Sequence, residues 1–314
     1  MKLSICCITY NHEKFIAAAL NSFLMQNLSF DYEIIISDDH SKDNTSQILS
    51  DYKTKYPDKI KLLLNEQNIG MMPNFIKALN NCRGEYIAIC DGDDYWTDNS
   101  KLQKQVDFLD AHKDHVVSSH STIVLNKNKK YLYPPNVPFA KKKLHNTFLL
   151  PDYIQNFFCH SSSIVFRRSM LKPFPDWYKN VFSGDGFLML LLALEGKIHY
   201  LNEPMSIYLY NNSSISNYVS LIEINKNFEK HLKLFNEYSG YKFSKEINAK
   251  IFALSFGVNF YNYNYLKKLK FFFKNFFRII NMNRSAFPIW GRYKFLLPAQ
   301  ILKSRVNITE KKSV

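Results

Sequence analysis

Three carboxylates stand within four residues at Asp91-Gly92-Asp93-Asp94, directly after the apolar run Tyr86-Ile87-Ala88-Ile89-Cys90. Crowded side chains of one sign repel: at about 4 Å each pair costs roughly 4 kcal/mol at an effective dielectric near 20. A cation removes that cost. Hard divalent ions such as Mg2+ and Mn2+ prefer oxygen ligands and bridge one or two carboxylates to a substrate's phosphates. One reading is therefore a metal-assisted nucleotide or nucleotide-sugar site. The other is a solvated acidic turn that caps the helix beginning near Asp98. These four residues do not choose between the two.

Similar polar clusters close the three earlier apolar runs. Residues 2–8 end in Thr9-Tyr10-Asn11, the isoleucine-rich stretch Tyr32 to Ser37 ends in Asp38-Asp39-His40-Ser41, and Lys59 to Leu64 ends in Asn65-Glu66-Gln67-Asn68-Ile69-Gly70. Between them lie segments of helical spacing: His12 to Asn27, a second from Asp43, and a third from Pro73 to Cys82. Strand and helix thus alternate three times before the acidic cluster, which predicts a parallel sheet with crossover helices. Crossovers of one hand bring every strand's carboxyl end to one rim. That rim would collect Thr9, Tyr10, Asn11, Asp38, Asp39, Asn68, Asp91, Asp93 and Asp94. Four converging clusters favour the site over the capping turn.

Farther on, Asn99 to His112 reads as a helix, Val116 to Leu125 as a strand, and the Lys/Asn/Pro-rich passage Asn126 to Lys143 as a loop. His160 to Arg168 reads as a strand ending in two arginines, for which solvation is the simpler expectation. Ser183-Gly184-Asp185-Gly186 opens an apolar helix expected from Phe187, and Lys197 to Tyr210 returns as a strand broken at Pro204.

With 314 residues, 46% of them hydrophobic and 16% aromatic, the chain has material for one large α/β domain and an appendage. The five cysteines form no C-x-x-C pair, which points to a reducing compartment without structural zinc. Met1-Lys2 leads straight into the first strand, and no apolar run reaches the ~18 residues of a membrane span. A cytoplasmic protein, or one peripheral at the inner face of the plasma membrane, is expected. The net charge of +14 is lopsided: residues 250–314 carry 13 Lys and Arg against the single acid Glu310. Asn262 to Ile280 places Leu266, Leu269, Phe273, Phe276 and Ile280 on one helical face and Lys267, Lys270, Lys274 and Arg278 on another. Such a helix suits an anionic membrane surface. Nucleic acid is not expected, because no recognised motif is present and the acidic rim would repel a phosphate backbone.

The chain resembles family 2 glycosyltransferases of the GT-A fold. The resemblance covers about Lys2 to Ser216 and rests on elements in order: Ile8-Thr9-Tyr10-Asn11, Ser37 to Thr45, Asn68-Ile69-Gly70 with Asn74, Arg83 to Ile87, Asp91-Gly92-Asp93-Asp94 and Ser183-Gly184-Asp185. It implies a Rossmann-like, mostly parallel sheet flanked by helices over 1–216, followed by a helical, basic region over 217–314. It also implies an inverting, metal-dependent transferase. A sugar would pass from a nucleotide carrier, with UDP favoured, to a glycan or lipid-linked acceptor. Thr9, Tyr10, Asn11 and Asn68 would line the nucleotide pocket, and Asp39 would accept a hydrogen bond from the base. Asp91 would meet ribose or a metal-bound water, and Asp93 with Asp94 would hold Mn2+ or Mg2+. Asp185 matches the family's catalytic base, although an aspartate there also suits a helix cap. One departure stands out. Where many members carry Tyr-Arg-x-His, this chain has Tyr208-Leu209-Tyr210-Asn211, which puts a diphosphate contact from that loop in doubt. The rival reading is an inactive scaffold of the same fold that binds membrane or nucleic acid through its basic tail.

Overall fold

The computed structural model describes residues 1–126, 129–133, 145–210 and 220–262. The chain runs β1 (Leu3–Thr9), α1 (Ile16–Leu24), β2 (Tyr32–Asp38), α2 (Thr45–Lys55), β3 (Ile60–Leu64), α3 (Met71–Asn80), β4 (Tyr86–Ile89) and a short β5 (Tyr95–Trp96). It continues through α4 (Lys101–Ala111), β6 (His115–Asn126), β7 (Lys129–Tyr133), β8 (His145–Phe148), α5 (Leu150–Asn156) and β9 (Val165–Arg167). Then come α6 (Gly184–Ala193), β10 (Lys197–Tyr210), α7 (Leu221–Tyr238) and α8 (Ser244–Asn262).

One sheet orders these strands β3-β2-β1-β4-β9-β6-β10-β5, with β7 on β6 and β8 on β10. The four strands predicted from the alternation pair in parallel, β1 against β2 and β4, and β2 against β3. Their side chains alternate between two cores. Leu3, Ile5 and Cys7 join Ile34, Ile36, Tyr86, Ala88 and Cys90 under α1, α2 and α4. Cys6, Ile35, Ile87 and Ile89 face the other way, onto α3, α5 and α6. Burial on both faces is why these strands read as continuous apolar runs. Leu232 and Phe235 of α7 and Ile247 of α8 are buried in this second core.

Four expectations change. Part of the passage read as a loop, Asn126 to Lys143, is β7, paired antiparallel with β6. Pro204 does not end the strand: β10 passes it in an irregular register against β6. Residues 160–168 are not one strand, because Ser161–Ser163 forms a 3-10 turn before β9. Most consequentially, β9 runs antiparallel to both β4 and β6, and pairs Arg167 with Tyr86 at the start of β4. Arg167 therefore lies at the rim opposite the acidic cluster and is not solvated: it is 7% exposed. Its guanidinium donates to the carbonyls of His115, Leu109 and His112 and to the Tyr86 hydroxyl. A cation on the final carbonyls of α4 offsets the negative end of that helix. Arg168 donates to the Gly84 carbonyl at the same rim.

Among the described residues, no helix is long and apolar enough to cross a membrane. Asn211 and the basic segment after Asn262 lie outside the described residues.

Candidate functional site

The carboxyl ends of the strands are stitched together by main-chain hydrogen bonds. At the end of β1, the Ile8 carbonyl accepts from Gly92 N (2.9 Å) and the Thr9 carbonyl from Asp39 N (3.0 Å), while the Asp38 carbonyl accepts from Asn65 N (3.0 Å). Glycine at 92 is dictated by this approach. A Cβ there would sit 2.9 Å from the Thr9 side chain and 3.0 Å from His12 Nδ1. The tight Asp-Gly-Asp turn thus exists because β1 ends against it.

Above this rim opens a cleft of about 520 Å3. Of the residues expected at the site, Thr9, Tyr10, Asp39, Asn68, Asp91, Asp93, Asp94 and Asp185 all line it. Asp38 and Asn11 do not. Asp38 is buried and spends its carboxylate on Ser41 and Ser46, holding the turn before α2. Asn11, at φ 56°, points its amide oxygen at Lys42 N (2.7 Å), and its own N–H reaches Ser41 Oγ (2.8 Å). Asparagine tolerates that left-handed conformation better than most residues. It ties the β1–α1 turn to the β2–α2 turn rather than lining the cleft.

Asp39 faces the cleft but already has partners. Oδ1 accepts from Asn65 Nδ2 (2.9 Å) and Ile69 N (2.8 Å), and Oδ2 from Gly70 N (2.9 Å). These fill three of a carboxylate's roughly four acceptor positions. The Asn68 amide donates to the Asp39 carbonyl (3.2 Å). Gly70, at φ 91°, adopts a backbone open to glycine at little cost, and its N–H is thereby turned onto Asp39. Asn74, 1% exposed, fixes the start of α3 through Ser37 and Asn65.

The acidic cluster is strained by its own charge. Burial pushes the Asp91 carboxyl up to about 7, reinforced by Asp93 and Asp185 and opposed by the hydroxyl of Ser161, which donates at 3.0 Å. Asp94, 2% exposed, is held well above the usual carboxylate range by burial and by Asp93 and Asp91, although it accepts from Leu209 N (3.2 Å). Two imidazoles flank the cluster: His12 Nε2 lies 3.9 Å from Asp93 and His160 Nδ1 3.8 Å from Asp94. Burial lowers the pKa of His160, against the pull of Asp185 and Asp93. Beside them Thr9 Oγ1 and His12 Nδ1 are buried with no hydrogen-bond partner. Buried polar atoms are rarely left so unless a ligand or solvent completes them.

These oxygen donors fit a hard divalent cation. Among the described residues no three His, Cys, Asp or Glu side chains are placed to enclose one ion. An ion here would take one or two carboxylates and leave positions for phosphate oxygens and water, as Mg2+ commonly does. A carboxyl whose pKa is raised on folding stabilises the fold while protonated, and that contribution disappears as pH rises through the folded value. Metal-free protein is therefore expected to lose thermal stability from about pH 4, where an unfolded aspartate ionises, to about pH 7, as Asp91 ionises in the fold. Added Mg2+ or Mn2+ should restore it at the upper end. Melting curves in EDTA that stay flat over this range would contradict the assignment.

Asp185 also lines the cleft, from the first turn of α6. The helix begins at Gly184 rather than Phe187, and its cap is Ser183, whose hydroxyl accepts from Gly186 N. That hydroxyl also donates to Asp185 Oδ1 (2.8 Å). The cap expected of Asp185 is thus performed two residues earlier. His12, Ser161, Met71 and Tyr208 also line the cleft and were not singled out as site residues from the sequence. The position of His12 just after Thr9-Tyr10-Asn11 was the available signal. For Ser161 and Met71 there was none.

Known proteins resemble this chain in sequence and in fold. The model of Glycosyl transferase family 2 matches residues 4–174. An uncharacterised protein of Mycobacterium tuberculosis is 37% identical over 208 residues, 66% of this chain and 58% of the relative, so the match spans little over half of that protein's length. The crystal structure of Staphylococcus aureus TarS residues 1–349 in complex with UDP-GlcNAc superposes with a TM-score of 0.65 at 23% identity, covering 83% of this chain and 74% of that one. A mannosyltransferase from Pyrobaculum calidifontis, in complex with GDP-Man and Mn2+, gives a TM-score of 0.55 at 14% identity over 93% and 86% of the two chains. At such identities the likeness is one of fold.

Proposed function

We propose, from the premise that this chain belongs to glycosyl transferase family 2, that it moves a sugar from a UDP-linked donor to a hydroxyl of a glycan or lipid-linked acceptor, with inversion. The chain is a glycosyltransferase with the GT-A fold. The observation that carries the finer reading is convergence: Asp91-Gly92-Asp93-Asp94 from the end of β4 and Asp185 from the start of α6 line one cleft.

In this reading Asp93, supported by Asp94, would hold a divalent cation. When bound, that ion neutralises charge on the diphosphate as it leaves. Thr9 Oγ1 and His12 Nδ1, buried and unpartnered, offer polar contacts to the nucleotide or its phosphates. The exposed ring of Tyr10 packs beside the base, and the remaining acceptor position of Asp39 Oδ2 suits the imide N–H of uracil. Asp185 takes the proton from the acceptor hydroxyl as that oxygen attacks the anomeric carbon opposite the leaving diphosphate. Asp91, its carboxylate held by Ser161, faces the donor between these two groups. Support for the reading comes from proteins of similar fold, TarS in complex with UDP-GlcNAc and the mannosyltransferase in complex with GDP-Man and Mn2+.

Thermal melting with UDP, GDP and CMP, each with and without Mn2+, tests this directly. UDP with metal at about 100 times its Kd is expected to add about 2.7 kcal/mol of stability. No shift with any nucleoside diphosphate would sink the reading. The basic residues from Lys267 onward are proposed to hold the enzyme on anionic lipid, supported by their charge and spacing in sequence; Lys250, which donates to the Gln155 carbonyl, is not among them. Co-sedimentation with phosphatidylserine vesicles, lost on truncation at Asn262 and in high salt, checks it; sedimentation unchanged by truncation would remove the role.

A further inference from the structure

The turn Ser183-Gly184-Asp185-Gly186 is gripped on both sides by α7, a helix more than thirty residues farther along the chain. Just before the turn, Phe182 N donates to Asn227 Oδ1 (3.0 Å), and Asn227 Nδ2 donates to the Asn180 carbonyl (3.1 Å). One side-chain amide thus satisfies a backbone donor and a backbone acceptor, as a neighbouring strand would. A backbone N–H can only donate and a carbonyl can only accept, so the orientation of this amide is fixed. Just after the turn, Gly186 lies against the ring of Phe157: a Cβ at 186 would be 3.3 Å from Phe157 Cδ1. That ring packs on Phe228 of α7 (centroids 5.2 Å) and on Phe187, which itself meets Phe228 at 5.3 Å. Phe157 follows α5 at φ 44°, a left-handed conformation that a bulky side chain seldom adopts. Packing holds it there against strain: Lys250 of α8 donates to the Gln155 carbonyl (3.1 Å) and stands 5.0 Å over the Phe157 ring.

The consecutive residues Asn227 and Phe228 therefore bracket Asp185, one in front of it in the chain and one behind. Inside the turn, the hydroxyl of Ser183 orients the Asp185 carboxylate relative to α6. It does not decide where the first turn of α6 stands relative to the cleft. The contacts to α7 do that, together with the buried Tyr178, whose hydroxyl donates to the Gly184 carbonyl (2.8 Å). A general base works only within hydrogen-bond reach of the proton it takes. Resting on the reading of Asp185 as that base, we infer that Asn227 is a positioning residue for it, setting the place of its carboxylate by holding the segment that leads into the turn. Among the described residues, none that lines the cleft belongs to α7. The helix acts on the reaction through Asp185 alone.

The test follows slow hydrolysis of UDP-glucose, UDP-galactose and UDP-N-acetylglucosamine by the full chain with Mn2+, using the donor that the wild type turns over fastest. Asn227→Ala is expected to lower kcat by about 10- to 100-fold, the effect of a misplacement of about 1 Å, with donor KM and UDP binding unchanged. The decisive readout is a double-mutant cycle. In an Asp185→Asn background the same substitution is expected to have no further effect, because it acts only through that carboxylate. An equal loss in both backgrounds is general loosening and overturns the inference, as does a wild-type kcat in folded Asn227→Ala protein. Should that variant fail to fold, Asn227→Asp carries the same comparison: it keeps an acceptor for Phe182 N and loses the donor to Asn180, and a wild-type kcat there is equally fatal. Two other results are distinguishable from these. A wild type that binds no UDP, or hydrolyses none of the donors, overturns the UDP-sugar reading, and an Asp185→Asn protein of undiminished rate overturns the base; either takes this inference with it.

Discussion

Asp185→Asn is expected to keep nucleotide and donor binding within error of the wild type and to lower the transfer rate by about 10²- to 10⁴-fold, the usual worth of a positioned general base. Asparagine preserves the size of the side chain and an oxygen to accept from Ser183, but it cannot take a proton at neutral pH. The geometry makes this a clean substitution. Ser183, not Asp185, caps α6, so removing the charge costs the helix no cap. One oxygen, Oδ1, takes the Ser183 hydroxyl, and the carboxylate lines the cleft. The signature is a fall in kcat with KM for the donor nearly constant. Transfer at the wild-type rate would remove Asp185 as the base.

Asp93→Asn carries the second large effect. Removing one charge from a ligand of the ion should cost several kcal/mol of charge stabilisation on the leaving diphosphate, on the order of 10²-fold or more in rate. It should also move the Mn2+ titration midpoint to higher concentration. Asp94→Asn separates the two carboxylates. Asp94 is buried and accepts from Leu209 N, so its loss should destabilise the join between the acidic turn and β10 as well as weaken the ion. If the Mn2+ midpoint responds to Asp94→Asn and not to Asp93→Asn, the direct ligand is Asp94 and the assignment changes places.

Positions were legible in the chain where roles were not. Asp39 was visible as a carboxylate at a strand end, yet its three donors come from Asn65, Ile69 and Gly70, about thirty residues away. Asn11 sits in the right turn but spends its amide on Lys42, because its left-handed backbone aims the side chain across to the neighbouring turn. Arg167 was read as solvated. A three-residue strand carries no signal of its direction, and antiparallel pairing sent it to the opposite rim.

What the sequence determined by itself is the sheet's first half and its rim. Strands buried on both faces must be apolar throughout, so their ends are marked by abrupt polar clusters, and the right-handed crossover brings those ends together. Only the tertiary structure decided which lone pairs at the rim remain for a ligand, that Ser183 rather than Asp185 caps α6, and that Asp91 and Asp185 line one hollow with Met72, Ile89 and Phe182. The reason is physical. Periodicity is a property of neighbours in sequence. Hydrogen-bond partners and cavity walls are set by residues such as Met72, Ile89 and Phe182, which only packing makes adjacent.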